Sequence, residues 1–303
     1  MRHLLTLKDL SPLEIEEILA TGRELKERYR RGIREPLYPG YVMGMIFEKQ
    51  SLRTRVSFEA GMTHLGGSAI FLAEEVGFGK REPICDFARV LGEMVDLVMI
   101  RAKHHEDVVE FAHWSPIPVI NGLTDFCHPC QALADIFTMR ELLGDTQGRK
   151  LAWVGDANNV ALSLAFICGK LGIEMSLAVP KEYQFSDETL QLIAENQPGW
   201  KLRVTQDPVE AVTGADVVYT DVWVSMGQEE EKAKREKAFA PYQVNAALMA
   251  HCPQAYFMHC LPARRGLEVT DEVMQGKQSV IVQEAGNRMH AQKGAIVWLL
   301  RQR

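Results

Sequence analysis

The feature that most constrains this chain is a pair of successive series in which short apolar runs alternate with amphipathic segments. The first series begins at Val42 and the second at Leu151. Such alternation predicts βαβ units, whose strands are parallel and whose helices cover the sheet. Two series of similar length therefore predict an α/β protein with two parallel-sheet α/β domains.

The segment between the two series predicts how the domains are joined. His128-Pro129 opens a long amphipathic segment that ends at Leu143 and is followed by Gly144. Proline favours the first helical position and glycine the position after the last, so this segment is expected to be one long helix. We expect it to connect a first domain, 1–143, to a second domain, 144–286.

The end of the chain is expected to contain one short strand and one long helix. Residues 279–282 form an apolar run typical of a strand, and Asn287 to Leu300 has helical spacing. The final helix is expected to return to the first domain, so that residues 287–303 belong to it.

Composition and charge exclude several classes of function. The formal net charge of −6 argues against a nucleic-acid partner. No apolar run approaches the ~20 residues of a membrane span, and Arg2, Lys8 and Asp9 interrupt the N-terminus too early for a signal peptide. The six cysteines are sparse and mostly lie in apolar segments, which is typical of a reducing compartment. We therefore expect a cytoplasmic protein without a membrane partner.

The stretch Ser51-Leu52-Arg53-Thr54-Arg55 lies where an apolar strand, Val42 to Phe47, meets a segment with helical spacing. A helix start has free backbone N–H groups and partial positive charge. Ser51 is a suitable N-cap, and two arginines add fixed charge. This combination suits a phosphate, although a capped surface helix with arginines in solvent fits the same residues.

Polar residues follow several of the predicted strands. Parallel α/β sheets bind ligands beyond the carboxyl ends of their strands, so these residues are expected to line one cleft between the domains. Each residue by itself also fits a structural role. The residues are Arg101, His128, Asp156, Asn158, Asn159, Asp221, His259 and Cys260.

Two nucleotide-binding classes are disfavoured, and one thiol alternative remains open. The turn after Val154 lacks the G-x-G-x-x-G pattern of nicotinamide enzymes, and no P-loop motif occurs. Cys127-His128-Pro129-Cys130 is a C-x-x-C at a helix start, which fits a thiol redox pair or half of a zinc site.

Four sequence motifs occur in the order Ser51-Leu52-Arg53-Thr54-Arg55, His128-Pro129-Cys130-Gln131, Asp221-Val222-Trp223-Val224-Ser225-Met226-Gly227 and His259-Cys260-Leu261-Pro262. In this order they resemble the ornithine branch of the aspartate/ornithine carbamoyltransferase family. The resemblance covers nearly the full chain and extends to Asn287-Arg288-Met289-His290.

This resemblance implies transfer of the carbamoyl group of carbamoyl phosphate to the δ-amine of L-ornithine, giving L-citrulline and phosphate. It implies no cofactor and no metal, and a homotrimer with sites at subunit boundaries. Three alternatives remain: a sister carbamoyltransferase acting on putrescine or an N-acylated ornithine, a C-x-x-C thiol redox protein, and a non-catalytic family member.

The resemblance also implies roles for individual residues. Carbamoyl phosphate is expected to contact Ser51, Leu52, Arg53, Thr54, Arg101, His128, Pro129, Cys130, Gln131, Cys260, Leu261 and Arg288. Ornithine is expected to contact Asn159, Asp221, Ser225 and Met226. Catalytic roles are implied for Arg101, His128, Asp221 and Cys260, and the Leu261–Pro262 bond is implied to be cis.

Two loops carry further expectations. The loop with Ser225-Met226-Gly227 and the charge run Glu229 to Lys237 is typical of a lid, although most charge runs are solvated faces. Many family members carry a glutamine that reaches a neighbouring subunit's carbamoyl phosphate. Gly77 stands at that position here, and Lys80 and Arg81 are candidate replacements.

Overall fold

The computed structural model describes residues 1–34, 36–224 and 229–302, without the side chain of Glu229. The chain forms two compact units. The first contains Met1–Phe137 and Gly286–Arg303, and the second contains Thr138–Ala285.

The first unit is built on a four-stranded parallel sheet in the order β2-β1-β3-β4. Its central strand β3 is buried along its whole length, as expected for a parallel strand covered on both faces. The elements are α1 (Pro12–Arg30), β1 (Val42–Phe47), α2 (Leu52–His64), β2 (Ser68–Leu72), α3 (Ile84–Gly92), β3 (Leu97–Arg101), α4 (His105–Trp114) and β4 (Val119–Leu123).

The second unit is built on a five-stranded parallel sheet in the order β7-β6-β5-β8-β9. The carboxyl ends of β5, β8 and β9 therefore lie side by side. The elements are β5 (Lys150–Val154), α6 (Asn159–Lys170), β6 (Glu174–Ala178), α7 (Asp187–Asn196), β7 (Arg203–Thr205), α8 (Pro208–Val212), β8 (Val217–Thr220), α9 (Lys232–Phe239), α10 (Ala246–Met249), β9 (Tyr256–His259) and α11 (Asp271–Gln275).

The two boundaries between the units along the chain each lie within a long helix. The joining helix α5 spans Pro129–Leu143, as predicted, and Gly144 after it has φ +75°. The last helix, α12, spans Ile281–Arg301, and its residues from Gly286 onward belong to the first unit.

The predicted strand at 279–282 is wrong. Ser279 forms one isolated bridge to Phe257, and α12 already begins at Ile281. The reason is that Glu284 is buried in the first turn of α12, where it accepts hydrogen bonds from Tyr219 and from the backbone of His259. Among the described residues, no helix is both long enough and apolar enough to cross a bilayer.

Candidate functional site

The turn between β1 and α2 has the geometry of an anion-binding helix start. Ser51 is the N-cap of α2, and its hydroxyl accepts from the backbone N–H of Thr54 at 3.3 Å and donates to Thr54 Oγ1 at 3.0 Å. Ser51 and Arg53 are half-buried, Leu52 is exposed, and Thr54 is fully buried. The predicted cap is confirmed, and it leaves backbone N–H groups of the first turn available to an anion.

Two further arginines converge on this turn. Arg101 Nη1, at the end of β3, lies 3.4 Å from Thr54 Oγ1, and Arg288 Nη2, on α12, donates to the same oxygen at 3.0 Å. Both arginines are buried. Two buried guanidinium groups at a helix start form a strongly electropositive site, which suits a phosphate dianion better than any neutral ligand.

The sequence predicted that Arg55 adds its charge to this turn, and the structure shows that its side chain lies elsewhere. Its side chain is directed along α2 to the carboxylate of Glu59 at 3.3 Å and stacks 4.0 Å above the ring of Phe71. The spacing of the arginines predicted two cations near the helix start, but the carboxylate and the ring within reach of Arg55 decide where its side chain goes.

His128 is a neutral imidazole beside the same two guanidinium groups. Its pKa is lowered well below the ordinary value by burial, and then by the positive charges of Arg288 and Arg101. The backbone carbonyl of His128 accepts from the N–H of Gln131 at 3.1 Å in the first turn of α5, and Gln131 Nε2 donates to Asp135 at 2.8 Å. The charges of Arg288 and Arg101 act on the predicted His128, so it lies close to them, and the predicted Gln131 lies three residues further along the chain.

The C-x-x-C pair lies in the core of the first unit. Cys130 Sγ donates to the carbonyl of Asn121 at 3.4 Å, and Cys127 Sγ donates to the carbonyl of Leu5 at 3.4 Å. Burial raises the pKa of each thiol to about 12. Such thiols stay protonated, which is the opposite of the lowered pKa that a redox pair requires.

In the second unit, Asp221 lies at the carboxyl end of β8 and is held by the turn after β5. Its Oδ2 accepts from Asn158 Nδ2 at 2.8 Å, and its Oδ1 accepts from the backbone of Val222 at 2.7 Å. Asn158 is also the N-cap of α6, so Asn159, the first residue of that helix, lies next to the Asp221 contact. The strand-end pattern indicated Asn158, but not its role as the partner of Asp221.

Cys260 and Leu261 follow β9 and are positioned by His259. The N–H of Leu261 donates to His259 Nδ1 at 2.9 Å, so the ring hydrogen is on Nε2, which lies 3.2 Å from Glu268. Leu261 has φ +58°, a left-handed conformation that is costly for a branched residue. The Leu261–Pro262 peptide bond is cis, as the resemblance implied.

One group of potential metal ligands is present in this part of the chain. Asp221, His259 and Cys260 offer ligand atoms that lie within 4.8 Å of one another. Both ring nitrogens of His259 are engaged by Leu261 and Glu268, so a metal would have to displace one of these contacts.

Arg235 is a functional candidate that the sequence did not reveal. The charge run Glu229 to Lys237 was expected to be mostly solvated, yet Arg235 is buried against Asp156, to whose carboxylate it donates. Arg235 Nε also donates to the carbonyl of Trp223 at 2.6 Å, and its guanidinium lies 4.6 Å from the ring of Tyr183. Burial raises the pKa of Asp156 to about 6, against the opposing effect of Arg235.

Two predicted ligands, Ser225 and Met226, lie outside the described residues, as does Gly227 of the expected lid.

Gly77 adopts a left-handed φ of +68° after a short turn. A side chain there would meet the Cγ of Arg81, while Lys80 pairs with Glu74 at 3.5 Å. The backbone conformation of this turn and the neighbouring Arg81 side chain therefore favour glycine at position 77.

Family models match both halves of the chain. Residues 2–141 match the carbamoyl-P binding domain of aspartate/ornithine carbamoyltransferase, and residues 147–299 match the Asp/Orn binding domain. The first half contains the arginine-lined helix start, and the second contains the polar strand ends around Asp221. The chain belongs to the aspartate/ornithine carbamoyltransferase family.

Within that family, the similarity is to the ornithine branch. The chain is 52% identical to the ornithine carbamoyltransferase of Carboxydothermus hydrogenoformans, over 99% of this chain and 97% of that protein. It is 50% identical to that of Bacillus subtilis, over 99% and 94%. The solved ornithine carbamoyltransferase of Pyrococcus furiosus has a TM-score of 0.96 and 45% identity, over 99% of this chain and 97% of that one.

Proposed function

We propose that this protein transfers the carbamoyl group of carbamoyl phosphate to the δ-amine of L-ornithine, giving L-citrulline and phosphate. The observation that carries the proposal is the convergence of Arg101 and Arg288 on Thr54 at the start of α2. Family membership and the similarity to ornithine carbamoyltransferases support the same reaction.

In the first unit, the phosphate of the donor is bound by the start of α2. The groups that bind it are backbone N–H groups, a hydroxyl and a guanidinium, supplied by Ser51, Leu52, Arg53 and Thr54. Arg288 adds a second cation. Arg101 reaches both a phosphate oxygen and the carbonyl oxygen, where negative charge grows as the amine attacks. Stabilising that charge and the leaving phosphate is the main contribution of these residues to rate.

The carbamoyl end of the donor is held by the start of α5. Neutral His128 donates one N–H to the carbonyl oxygen, because an imidazole with a lowered pKa keeps a single ring hydrogen. The carbamoyl amide is oriented by Gln131, by the backbone of Pro129 and Cys130, and by the Leu261 carbonyl.

In the second unit, Asp221 and Asn159 bind ornithine, together with Ser225 and Met226 of the following loop. Asp221 pairs with the α-ammonium, and Asn159 donates to the α-carboxylate. The δ-amine must be neutral to attack, so Cys260 and Asp221 accept or relay its proton. The departing phosphate takes the final proton, which closes the reaction without a dedicated general acid.

The three alternatives are less well supported. Putrescine lacks both the α-ammonium and the α-carboxylate for which Asp221 and Asn159 are suited. N-acylated ornithine keeps the carboxylate but lacks the free α-ammonium for which Asp221 is suited. Thiol redox chemistry is opposed by the raised pKa values of Cys127 and Cys130. A non-catalytic role is less well supported, because the similarity to ornithine carbamoyltransferases extends over nearly the whole chain.

We further propose a C3 homotrimer, because family sites lie at subunit boundaries. Arg81, whose stem covers Gly77, is our candidate for the group lent to a neighbouring subunit, with Lys80 as the second candidate. A cytoplasmic location fits the six cysteines, for which no disulfide is found among the described residues.

The proposal is tested by citrulline formation with purified protein and a panel of ornithine, putrescine and N-acetylornithine. We expect turnover with ornithine alone and loss of carbamoyl phosphate binding in Arg53→Ala. Turnover with another amine and none with ornithine would refute the substrate assignment. Retained binding in Arg53→Ala would refute the role of the helix start.

A further inference from the structure

Glu284 is a fully buried carboxylate that bridges two neighbouring strands of the second unit. It lies in the first turn of α12, and its Oε1 accepts from the hydroxyl of Tyr219, on β8, at 3.0 Å. Its Oε2 accepts from the backbone N–H of His259, the last residue of β9, at 2.9 Å. All three residues are at most 1% exposed. One side chain therefore joins β8 and β9 close to their carboxyl ends.

The contact to His259 completes the outer edge of β9. This strand is the last in the sheet order, so one of its edges faces away from β8. On that edge the backbone of Phe257 bonds to Gln278 at 2.8 Å and to Val280 at 3.0 Å. The next outward N–H, that of His259, bonds to the side chain of Glu284. Because a buried N–H without an acceptor is costly, the carboxylate takes the place that a further strand would have.

The contact to Tyr219 joins the same carboxylate to the body of the sheet. The Tyr219 ring stacks on the ring of Trp153, its neighbour on β5, with the ring centres 5.1 Å apart. Both rings are fully buried, so the direction of the Tyr219 hydroxyl is set by the packing around it. Glu284 is therefore attached to a side chain that the core holds in place.

The two bridged strand ends carry two of the proposed catalytic residues. Asp221 follows Tyr219 by two positions, and Cys260 directly follows His259. The two ends are in register, because Thr220 lies opposite His259 in the β8–β9 pair. Ligand atoms of Asp221, His259 and Cys260 lie within 4.8 Å of one another. A shift of either strand end would therefore change the distance between Asp221 and Cys260.

We propose that Glu284 is a positioning residue for carbamoyl transfer, because it fixes the Asp221–Cys260 pair that accepts or relays the proton of the ornithine δ-amine. The inference rests on the proposed function, since it concerns the same site. Glu284 acts through β8 and β9 and has no contact with substrate in this role. Two oxygens that accept from two strands hold both strand ends at once, whereas an apolar side chain holds neither. Proton transfer needs this precision, because a misplacement of about 1 Å can lower a rate about a hundredfold.

Steady-state citrulline formation by Glu284→Met is the first test. We expect kcat to fall about tenfold to a hundredfold. The dissociation constant of carbamoyl phosphate, measured by calorimetry, should stay unchanged, because the groups proposed to bind its phosphate belong to the first unit. Glu272→Met, at an exposed glutamate in the first turn of α11, is the matched control.

The outcomes of this test separate the inference from the proposed function. Equal kcat values for Glu284→Met and Glu272→Met, in a protein that forms citrulline, would overturn the inference and leave the proposed function intact. A native chain that forms no citrulline from ornithine would refute the proposed function instead.

Glu284→Gln separates the geometry of the bridge from its charge. The amide oxygen accepts from the His259 N–H, and the amide nitrogen donates to the Tyr219 hydroxyl, which can also act as an acceptor. Both strands remain bridged, so we expect kcat close to that of the native chain. A kcat as low as that of Glu284→Met would overturn the inference.

Tyr219→Phe breaks one half of the bridge and retains the aromatic ring against Trp153. We expect a lowered kcat, and no further loss when the change is added to Glu284→Met, because both changes break the same contact. This variant removes only one oxygen atom, so it tests the bridge even if Glu284→Met does not fold. A native kcat in Tyr219→Phe would contradict the role of the bridge.

Alkylation of Cys260 measures the position of the β9 end without reference to activity. Cys260 is partly exposed, whereas Cys168 in the same unit is fully buried. In Glu284→Met, iodoacetamide should label Cys260 faster than in the native chain and should still leave Cys168 unlabelled, because only the strand end loosens. An unchanged rate at Cys260 would overturn the inference. Labelling of both cysteines would also overturn it, because Glu284 would then support the packing of the whole unit.

Discussion

Arg288 Nη2 donates a 3.0 Å hydrogen bond to Thr54 Oγ1, although the two residues are 234 positions apart in the chain. Arg288 lies on α12 and Thr54 in the first turn of α2, and both are buried. The contact brings the last helix of the chain to the helix start that we propose binds phosphate. It explains why the first unit includes the C-terminal residues.

Replacement of Arg288 by methionine is expected to raise the KM for carbamoyl phosphate. A hydrogen bond to a charged group contributes about 1.5–3 kcal/mol, so the expected increase is roughly tenfold to a hundredfold. Steady-state kinetics at saturating ornithine measures it. Arg301→Gln, at the exposed end of the same helix, is the control and is expected to leave KM unchanged. An unchanged KM in Arg288→Met would exclude contact with the donor.

His128 is expected to make stability depend on pH. Its folded pKa lies below the ordinary value of 6.5, so the unfolded chain binds the proton more readily. Stability is therefore lost as the pH falls below about 6.5, by at most about 1.4 kcal/mol per pH unit from this group. Urea unfolding at pH 7 and pH 5 should show a smaller loss in His128→Gln than in the native chain. Equal losses would mean that His128 is protonated in the folded state.

Cys127 and Cys130 are expected to resist alkylation in the folded protein. Their pKa values of about 12 leave almost no thiolate at pH 8, and both side chains are buried. Mass spectrometry after iodoacetamide treatment should find label first at the partly exposed Cys85 and Cys260. Rapid labelling of Cys127 would revive the redox alternative, and so would loss of citrulline formation in Cys127→Ser without loss of fold.

Replacement of Arg235 by methionine is expected to destabilise the second unit and to weaken ornithine binding. The variant leaves the buried Asp156 carboxylate without its cation, which typically costs about 3–5 kcal/mol. Asp156 precedes Asn158, the partner of Asp221, so the KM for ornithine should rise more than the KM for carbamoyl phosphate.

Two variants separate this effect from a general loss of packing. Lys234→Met, at an exposed neighbour in α9, should change neither stability nor KM. Adding Asp156→Asn to Arg235→Met removes the stranded charge and should recover part of the lost stability. If the double variant were as unstable as the single one, the ion pair would not be the cause.

The local sequence determined the elements and the helix starts. Apolar runs with helices between them predicted both parallel sheets, and the N-cap preference of serine predicted the start of α2 at Ser51. The proline and glycine at the two ends of α5 predicted its bounds. These features are readable because each depends on residues only a few positions apart.

Contacts between residues far apart in the chain decided the features that the local sequence did not predict. The apolar run at 279–282 has the composition of a strand, but buried Glu284 with its partners Tyr219 and His259 places it at the start of α12. Arg235 lies in a charge run that looks fully solvated, yet its partner is Asp156, 79 residues away. Local periodicity cannot encode such pairs, because the free energy of a buried charge depends on which groups the fold places beside it.

The sequence by itself thus determined the two parallel sheets, the capped arginine-rich turn and the order of the motifs. Only the tertiary structure decided that Arg288 joins Arg101 at Thr54 while Arg55 turns away to Glu59. An arginine side chain is long and flexible, so its direction is set by the carboxylates, rings and hydroxyls within its reach, and these come from other parts of the chain.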